Sequence, residues 1–315
     1  MLAIVCPGQG AQKPGFLTPW LDLPGVREKL ATLSEQVGVD LIRHGTESDA
    51  DTIRDTAIAQ PLLVAAGIVA AGALAQDEPL AHRAGVIAGH SVGELTAAAI
   101  AGVLSDAEAM ALVGERSRAM ARAAAEVETS MAAVVGGQRE DVMSAIERHG
   151  LHAANINSAA QVVAAGAPDA LAALGEDAPA RARVIPLQVA GAFHTPFMAS
   201  ARESVAALAQ TLHPQDPDPR VALLTNRGGE RIGSGPRFVE LIVGQIDSPV
   251  DWEACMGAMG DLGVSGVLEL MPAGTLTGLA KRELKGTAQL NLNTPDELDA
   301  ARAFVREHSL EQEQN

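Results

Sequence analysis

Residues 86–103 read VIAGHSVGELTAAAIAGV. A short apolar run ends at Gly89-His90-Ser91-Val92-Gly93, and an alanine-rich run of good helix formers follows at once. Strand, sharp turn and helix in immediate succession belong to α/β folds, and the form G-x-S-x-G suits a serine held on a strained strand-to-helix corner. Five-residue glycine patterns also arise by chance in a chain with 31 Gly. The motif alone leaves catalysis open, and the other residues must decide.

The rest of the chain fits an α/β body. Leu2–Val5 is a short apolar strand running into Pro7-Gly8-Gln9-Gly10, a loop whose glycines let backbone approach a ligand closely. With Lys13 where a third glycine would stand, it is not a dinucleotide fingerprint. Residues 26–37 and 58–75 have helical spacing and composition. Ser91 begins a further helix after strand 86–88, and Ser105-Asp106-Ala107-Glu108 reads as a capping box opening a long helix to about Glu126.

Residues 130–186 change character. Strand Met131–Val135, helix Glu140–Arg148, strands Ala153–Asn157 and Gln161–Ala165, helix Asp169–Leu174 and strand Ala182–Pro186 give the order β-α-β-β-α-β, a ferredoxin-like arrangement. Its position makes it an insertion into the larger body. The expected division is a discontinuous catalytic domain (1–128 and 190–306), a small ferredoxin-like domain (129–189) and a polar tail (307–315). Beyond the insertion, a helix over Ala199–Leu212, strand Val221–Thr225, a helix near 236–246, strand Gly266–Leu270, a turn and helix in MPAGTLTGLAKREL, and a last strand at 288–292 are expected.

Composition narrows the partners. A net charge of −16 repels a phosphate backbone, so nucleic acid is disfavoured and any anionic ligand needs a local basic site. Cys6 and Cys255 offer neither metal spacing nor a disulfide framework, and no metal site is expected. The start MLAIVCPGQG lacks the basic region of a signal peptide, and the apolar run 62–75 is short for a bilayer. A soluble cytoplasmic chain without membrane contact is the expectation.

A serine nucleophile needs a base, usually histidine. Most of the eight histidines sit in polar surroundings, whereas His194 lies in the apolar segment VAGAFHTPFM, where an imidazole can be oriented. A satisfied core histidine fits that segment too. On the long helix, Leu112, Arg116 and Met120 recur at i, i+4 and i+8, which places Arg116 on an apolar stripe and Arg118 and Arg122 on other faces. A buried guanidinium requires an anion. Spacing leaves a protein carboxylate and a ligand carboxylate, gripped by the planar fork, equally open.

Seven segments then converge. PGQGAQ near the start, GHSVGE at 89–94, ERSR around Arg116, NINSAAQVVAAG at 155–166, GAFHTPFM at 191–198, SPVDW at 248–252 and GTLTGLAKR at 274–282 resemble malonyl-CoA:acyl-carrier-protein transacylases, in order and over about 290 residues. The resemblance implies a hydrolase-like α/β body with a parallel sheet and a ferredoxin-like insertion. It implies Ser91 as nucleophile, His194 as general base, and the main-chain N–H groups of Gln9 and Val92 as an oxyanion hole. It further implies Arg116 as the grip on the malonyl carboxylate, Asn157 and Gln161 as pocket residues, and the Gln245 carbonyl as the group orienting His194. Val92 and Phe193 are of the kind found in malonyl-selecting members. The implied partners are malonyl-CoA or CoA and acyl carrier protein with its phosphopantetheine arm, with no permanently bound cofactor and a monomeric enzyme.

Lys281, Arg282 and Lys285 could dock an acidic carrier protein, or could simply be solvated cations at a helix C-terminus. Two rival functions stay on the table: a serine hydrolase, whose acid would have to come from Asp141, Asp169 or Asp177, and a non-catalytic scaffold that binds the carrier protein.

Overall fold

The computed structural model describes residues 1–75 and 78–309. The body begins with β1 (Leu2–Cys6), followed by α1 (Val26–Val37), α2 (Leu41–Thr46) and α3 (Thr56–Ala75), then β2 (Val86–Gly89), α4 (Gly93–Ile100) and α5 (Asp106–Glu126). Next come β3 (Ser130–Gly136), α6 (Arg139–Arg148), β4 (His152–Ser158), β5 (Gln161–Gly166), α7 (Pro168–Glu176) and β6 (Ala182–Pro186). The chain returns through α8 (Arg202–Ala209), β7 (Ala222–Leu224), α9 (Gly235–Gly244), β8 (Val250–Asp251), α10 (Trp252–Asp261), β9 (Gly266–Glu269), α11 (Thr275–Glu283), β10 (Ala288–Asn291) and α12 (Leu298–His308).

The body is built on a parallel sheet in the order β10-β9-β1-β2-β7. Apart from β10, its strands are buried along their whole length, as expected when helices cover both faces of a parallel sheet. Because β1 and β2 are parallel neighbours, the loops at their carboxyl ends, carrying Gln9 and Ser91, emerge side by side. Ligands bind to such sheets at the carboxyl ends of the strands.

The second sheet has the order β6-β3-β5-β4, all antiparallel. It gains a fifth strand from the body: β8 pairs parallel with β4, Asn155 opposite Val250 and Ile156 opposite Asp251. This two-residue strand, from the segment SPVDW, ties the two sheets together, a pairing that carries no local sequence signal.

Capping sets the phase of the longest helix. Ser105 Oγ accepts the Glu108 N–H while the Glu108 carboxylate accepts the Ser105 N–H, which fixes the start of α5. Counting from there, Leu112, Arg116 and Met120 all fall on the buried face. Arg118 and Arg122 face outward onto Glu115.

Several expectations need correction. The helix expected from residue 58 starts at Thr56 and is 20 residues long, apolar enough to cross a membrane by length and composition alone. What marks it as a core helix is burial, since 78% of its most apolar window is inside the fold. The helix expected from Ala199 is a 3-10 turn over Pro196–Ala201 before α8, because Pro196 and the Thr195 cap start it early and tightly. The last helix runs to His308, so the expected tail at 307–315 starts inside α12, and residues 310–315 lie outside the described residues.

Candidate active site

Ser91 has φ 53°, the left-handed conformation that lifts its side chain out of the strand-to-helix corner. The two motif glycines are steric necessities. A Cβ on Gly89 would lie 2.0 Å from the Gly93 carbonyl carbon, and one on Gly93 would lie 2.2 Å from the Cys6 oxygen. The corner closes against itself and against β1 with no room for either methyl.

The Ser91 hydroxyl meets His194 Nε2 at 2.6 Å. His194 Nδ1 lies 2.8 Å from the Gln245 main-chain oxygen, which can only accept, so Nδ1 carries the proton and Nε2 is the free base facing the serine. Burial, then the Arg116 cation, push the imidazole down to about 3, and only the Gln245 carbonyl pulls it up. At neutral pH the ring is the uncharged acceptor. The N–H groups of Val92 and Gln9 are bound to no main-chain acceptor among the described residues, and Gln9 is held by its side chain to the Arg54 carbonyl.

Arg116 is fully buried, and its partners are neutral. Nη1 donates to Gln60 Oε1 at 2.6 Å and Nη2 to Gln245 Oε1 at 2.9 Å, while Nε has no partner among the described residues. Burial lowers the guanidinium to about 10 and Glu94 pulls it back up, so it stays charged at neutral pH. Glu94, also fully buried, does not touch the guanidinium. Its oxygens accept from the Asn226 N–H at 2.6 Å and from Gln245 Nε2 at 2.5 Å. Burial pushes this carboxyl up to about 7 against the pull of the Asn226 N–H, the Thr225 hydroxyl, Arg116 and the Gln245 amide. Asn226 completes the frame: Oδ1 accepts the Ser91 N–H at 2.7 Å and Nδ2 donates to the Gly89 carbonyl, bracing the corner from behind.

A chamber of about 420 Å³ opens over the serine, walled by Gln9, Gln60, His90, Met120, Phe193 and His194. Arg116 is not in the wall. Gln60 and Met120 stand in front of it, joined by a 3.7 Å contact from Gln60 Nε2 to the Met120 sulfur. Asn157 and Gln161 do not line this chamber either. They line an adjoining cleft of about 510 Å³ that shares Gln9 and His90 with it and has Arg282 on its far wall. Asn157 Oδ1 is bonded to His90 Nε2 at 2.9 Å, so its place is between the two spaces. Lys281 and Arg282 are exposed in the last turn of α11. A larger groove of about 570 Å³ beside Lys29 and Leu298 shares no residue with either space.

Residues 3–286 match the acyl transferase domain family. The malonyl CoA-acyl carrier protein transacylase of Mycobacterium tuberculosis is 45% identical over 299 residues, spanning 95% of this chain and 98% of that protein. The crystal structure of MCAT from the same organism superposes with a TM-score of 0.92 at 44% identity, covering 96% of this chain and 99% of that one. The chain belongs to the acyl transferase family, among its malonyl CoA-acyl carrier protein transacylases. A further acyl transferase, a malonyl-transacylase solved with a type II PKS acyl-carrier protein, superposes with a TM-score of 0.87 at 26% identity, covering 96% of this chain and 99% of that one.

In this acyl transferase the histidine's second partner is a carbonyl rather than a carboxylate. Asp141, Asp169 and Asp177, the acids a hydrolase triad would have required, are exposed on the β3–β6 unit. Sequence reasoning missed Gln60, Glu94 and Asn226. Gln60 had a signal, being a polar residue beside Pro61 in an otherwise apolar helix. Asn226 had none, since it follows a short strand in an unremarkable loop.

Proposed function

We propose that this chain transfers the malonyl group of malonyl-CoA to the phosphopantetheine thiol of an acyl carrier protein, through a malonyl ester of Ser91. One observation carries the reading: a buried cation with no carboxylate against it among the described residues, Arg116, sits one amide behind a chamber that holds an engaged Ser91–His194 pair. A carboxylate entering the chamber meets the Gln60 amide first and takes over guanidinium N–H bonds from it. The diacid is thereby fixed at its free end, with its thioester over the serine.

Each half-reaction balances on these residues. As Ser91 Oγ bonds to the thioester carbon, its proton passes to His194 Nε2, and the oxyanion is held by the Val92 and Gln9 N–H groups. The C–S bond breaks, CoA sulfur takes the proton, and the ester remains. The carrier thiol then gives its proton to His194 and attacks the ester, and the serine oxygen leaves with that proton. A thiol ionises near 8.5, so it departs with little proton assistance, and a neutral carbonyl suffices to orient the base.

Residues 129–189 form a ferredoxin-like insertion between two parts of the body, supported by the strand order β6-β3-β5-β4. Asn157 and Gln161 line the approach used by the pantetheine arm, and the exposed cations Lys281 and Arg282 beside that cleft receive the acidic carrier. The enzyme works as a cytoplasmic monomer, supplying extender units to fatty-acid synthesis and, through a carrier of the type II PKS kind, to polyketide synthesis.

Intact-protein mass spectrometry after mixing with malonyl-CoA tests this. Wild type gains one malonyl mass and passes it to a holo carrier protein, and Ser91→Ala gains nothing. Rapid release of free malonate instead of transfer would make the chain a hydrolase, and an unlabelled wild type would make it a scaffold.

A further inference from the structure

Glu94 takes no part in the acyl exchange, yet it is a fully buried carboxyl in the first turn after the nucleophile. The Asn226 N–H and the Gln245 amide both donate to it, and the Thr225 hydroxyl also favours its charged form, the pattern of a carboxylate. The Gln245 side chain passes this contact on. Its NH2 faces Glu94 and Asn226 Oδ1, and its oxygen faces Arg116 at 2.9 Å.

We propose that Glu94 is a positioning residue for acid recognition, acting on Arg116 through the Gln245 side chain. This rests on the malonyl-transfer reading of the site. An amide has one donor end and one acceptor end, and in a buried site the neighbours decide which way it points. A carboxylate against one end obliges Gln245 to present its oxygen to the guanidinium. The arrangement also solves an electrostatic problem. A buried cation needs a counter-charge, but a carboxylate placed directly on Arg116 would occupy the N–H groups that the substrate must use. Setting the carboxyl one amide away lets its charge offset part of the cation's and leaves the guanidinium held only by exchangeable neutral partners.

The Glu94→Gln replacement isolates the effect. Its oxygen keeps the Asn226 N–H, but its NH2 now faces the Gln245 NH2, donor against donor. Gln245 is then repelled on the side of residue 94, with Asn226 Oδ1 its one remaining acceptor there, and its hold on Arg116 weakens. The main-chain carbonyl that holds His194 is untouched.

The test measures single-turnover loading of Ser91 from malonyl-CoA and from acetyl-CoA, together with its reaction with a fluorophosphonate that has no acid to recognise. Glu94→Gln should lower the malonyl-to-acetyl preference by about tenfold, the worth of one hydrogen bond to a charged group, while the fluorophosphonate rate falls far less. Gln245→Met, which breaks the same link, should lose preference in the same direction and carries the test if Glu94→Gln does not fold. In an Arg116→Ala background, Glu94→Gln should leave the preference where Arg116→Ala put it, because its effect passes through the arginine. A proportional fall in all three rates, an unchanged preference in either single variant, or an undiminished effect without Arg116 would overturn the proposal. A wild type that takes the fluorophosphonate but no malonyl would instead refute the malonyl-transfer reading.

Discussion

Arg116→Ala removes the cation to which we assign the choice of substrate. On that assignment a malonyl carboxylate gains charge-assisted hydrogen bonds in the wild-type site, each worth about 1.5–3 kcal/mol. In the variant it would be buried facing Gln60 and Gln245, whose oxygens repel it. Truncating one member of a buried, hydrogen-bonded charge pair costs about 2–5 kcal/mol. Taking about 4 kcal/mol, at roughly 1.4 kcal/mol per factor of ten, kcat/KM for malonyl-CoA should fall by roughly 1,000-fold. Acetyl-CoA behaves differently, because an acetyl group leaves the guanidinium without an anion in the wild type and gives nothing up in the variant. Its loading rate should hold or rise. The assay is single-turnover acylation of Ser91 by either thioester, read by intact mass, with the fluorophosphonate reaction as a check that the Ser91–His194 pair survives. A malonyl loss of less than about tenfold, the worth of a single such bond, would refute the reasoning. So would equal losses for both thioesters, which would show that Arg116 serves only the fold.

The His194 imidazole lies far below its ordinary 6.5, at about 3, so its working neutral form persists as pH falls through the range where an ordinary histidine would protonate. Acetyl loading of Ser91 should accordingly keep its rate down through pH 6.5, and Arg116→Ala, by removing a cation that depresses the ring, should move the acid limb upward. A wild-type limb centred at 6.5 would contradict the buried, cation-flanked histidine. Gly93→Ala places a methyl 2.2 Å from the Cys6 oxygen and should abolish either folding or Ser91 reactivity, as judged by melting and fluorophosphonate labelling. Full activity would mean that the corner has room for a methyl beside the Cys6 oxygen. Charge reversal at Lys281, which does not line the cleft of Asn157 and Gln161, should raise KM for the carrier protein and leave malonyl-CoA loading alone, and an unchanged carrier KM would remove it from the docking surface.

Much of the body was legible because its causes are local. Apolar runs of four or five residues, a capping box at Ser105 and two glycines flanking a serine fix strands, a helix start and a strained corner through interactions that reach only a few positions along the chain. The stripe Leu112–Arg116–Met120 likewise foretold a buried guanidinium, because helical phase is set by the same local geometry. Helices α10 and α12 escaped notice, since their apolar faces acquire meaning only in the assembled core, where α10 packs on β4 and α11, and α12 packs on β9 and α3. The two-residue strand β8 exists only because β4 offers it an edge.

The amino-acid order by itself determined that Ser91 would be lifted out of a corner and that position 116 would be a cation turned inward. Tertiary structure alone decided what that cation would meet. Gln60 reaches Arg116 across 56 positions, and Glu94 reaches Gln245 across 151. An amide's choice between facing an anion and facing a guanidinium depends on groups from distant stretches of the chain, brought together only when the body folds. No periodicity along the chain records it, because hydrogen-bond direction in a buried network is settled by whichever donors and acceptors share the space.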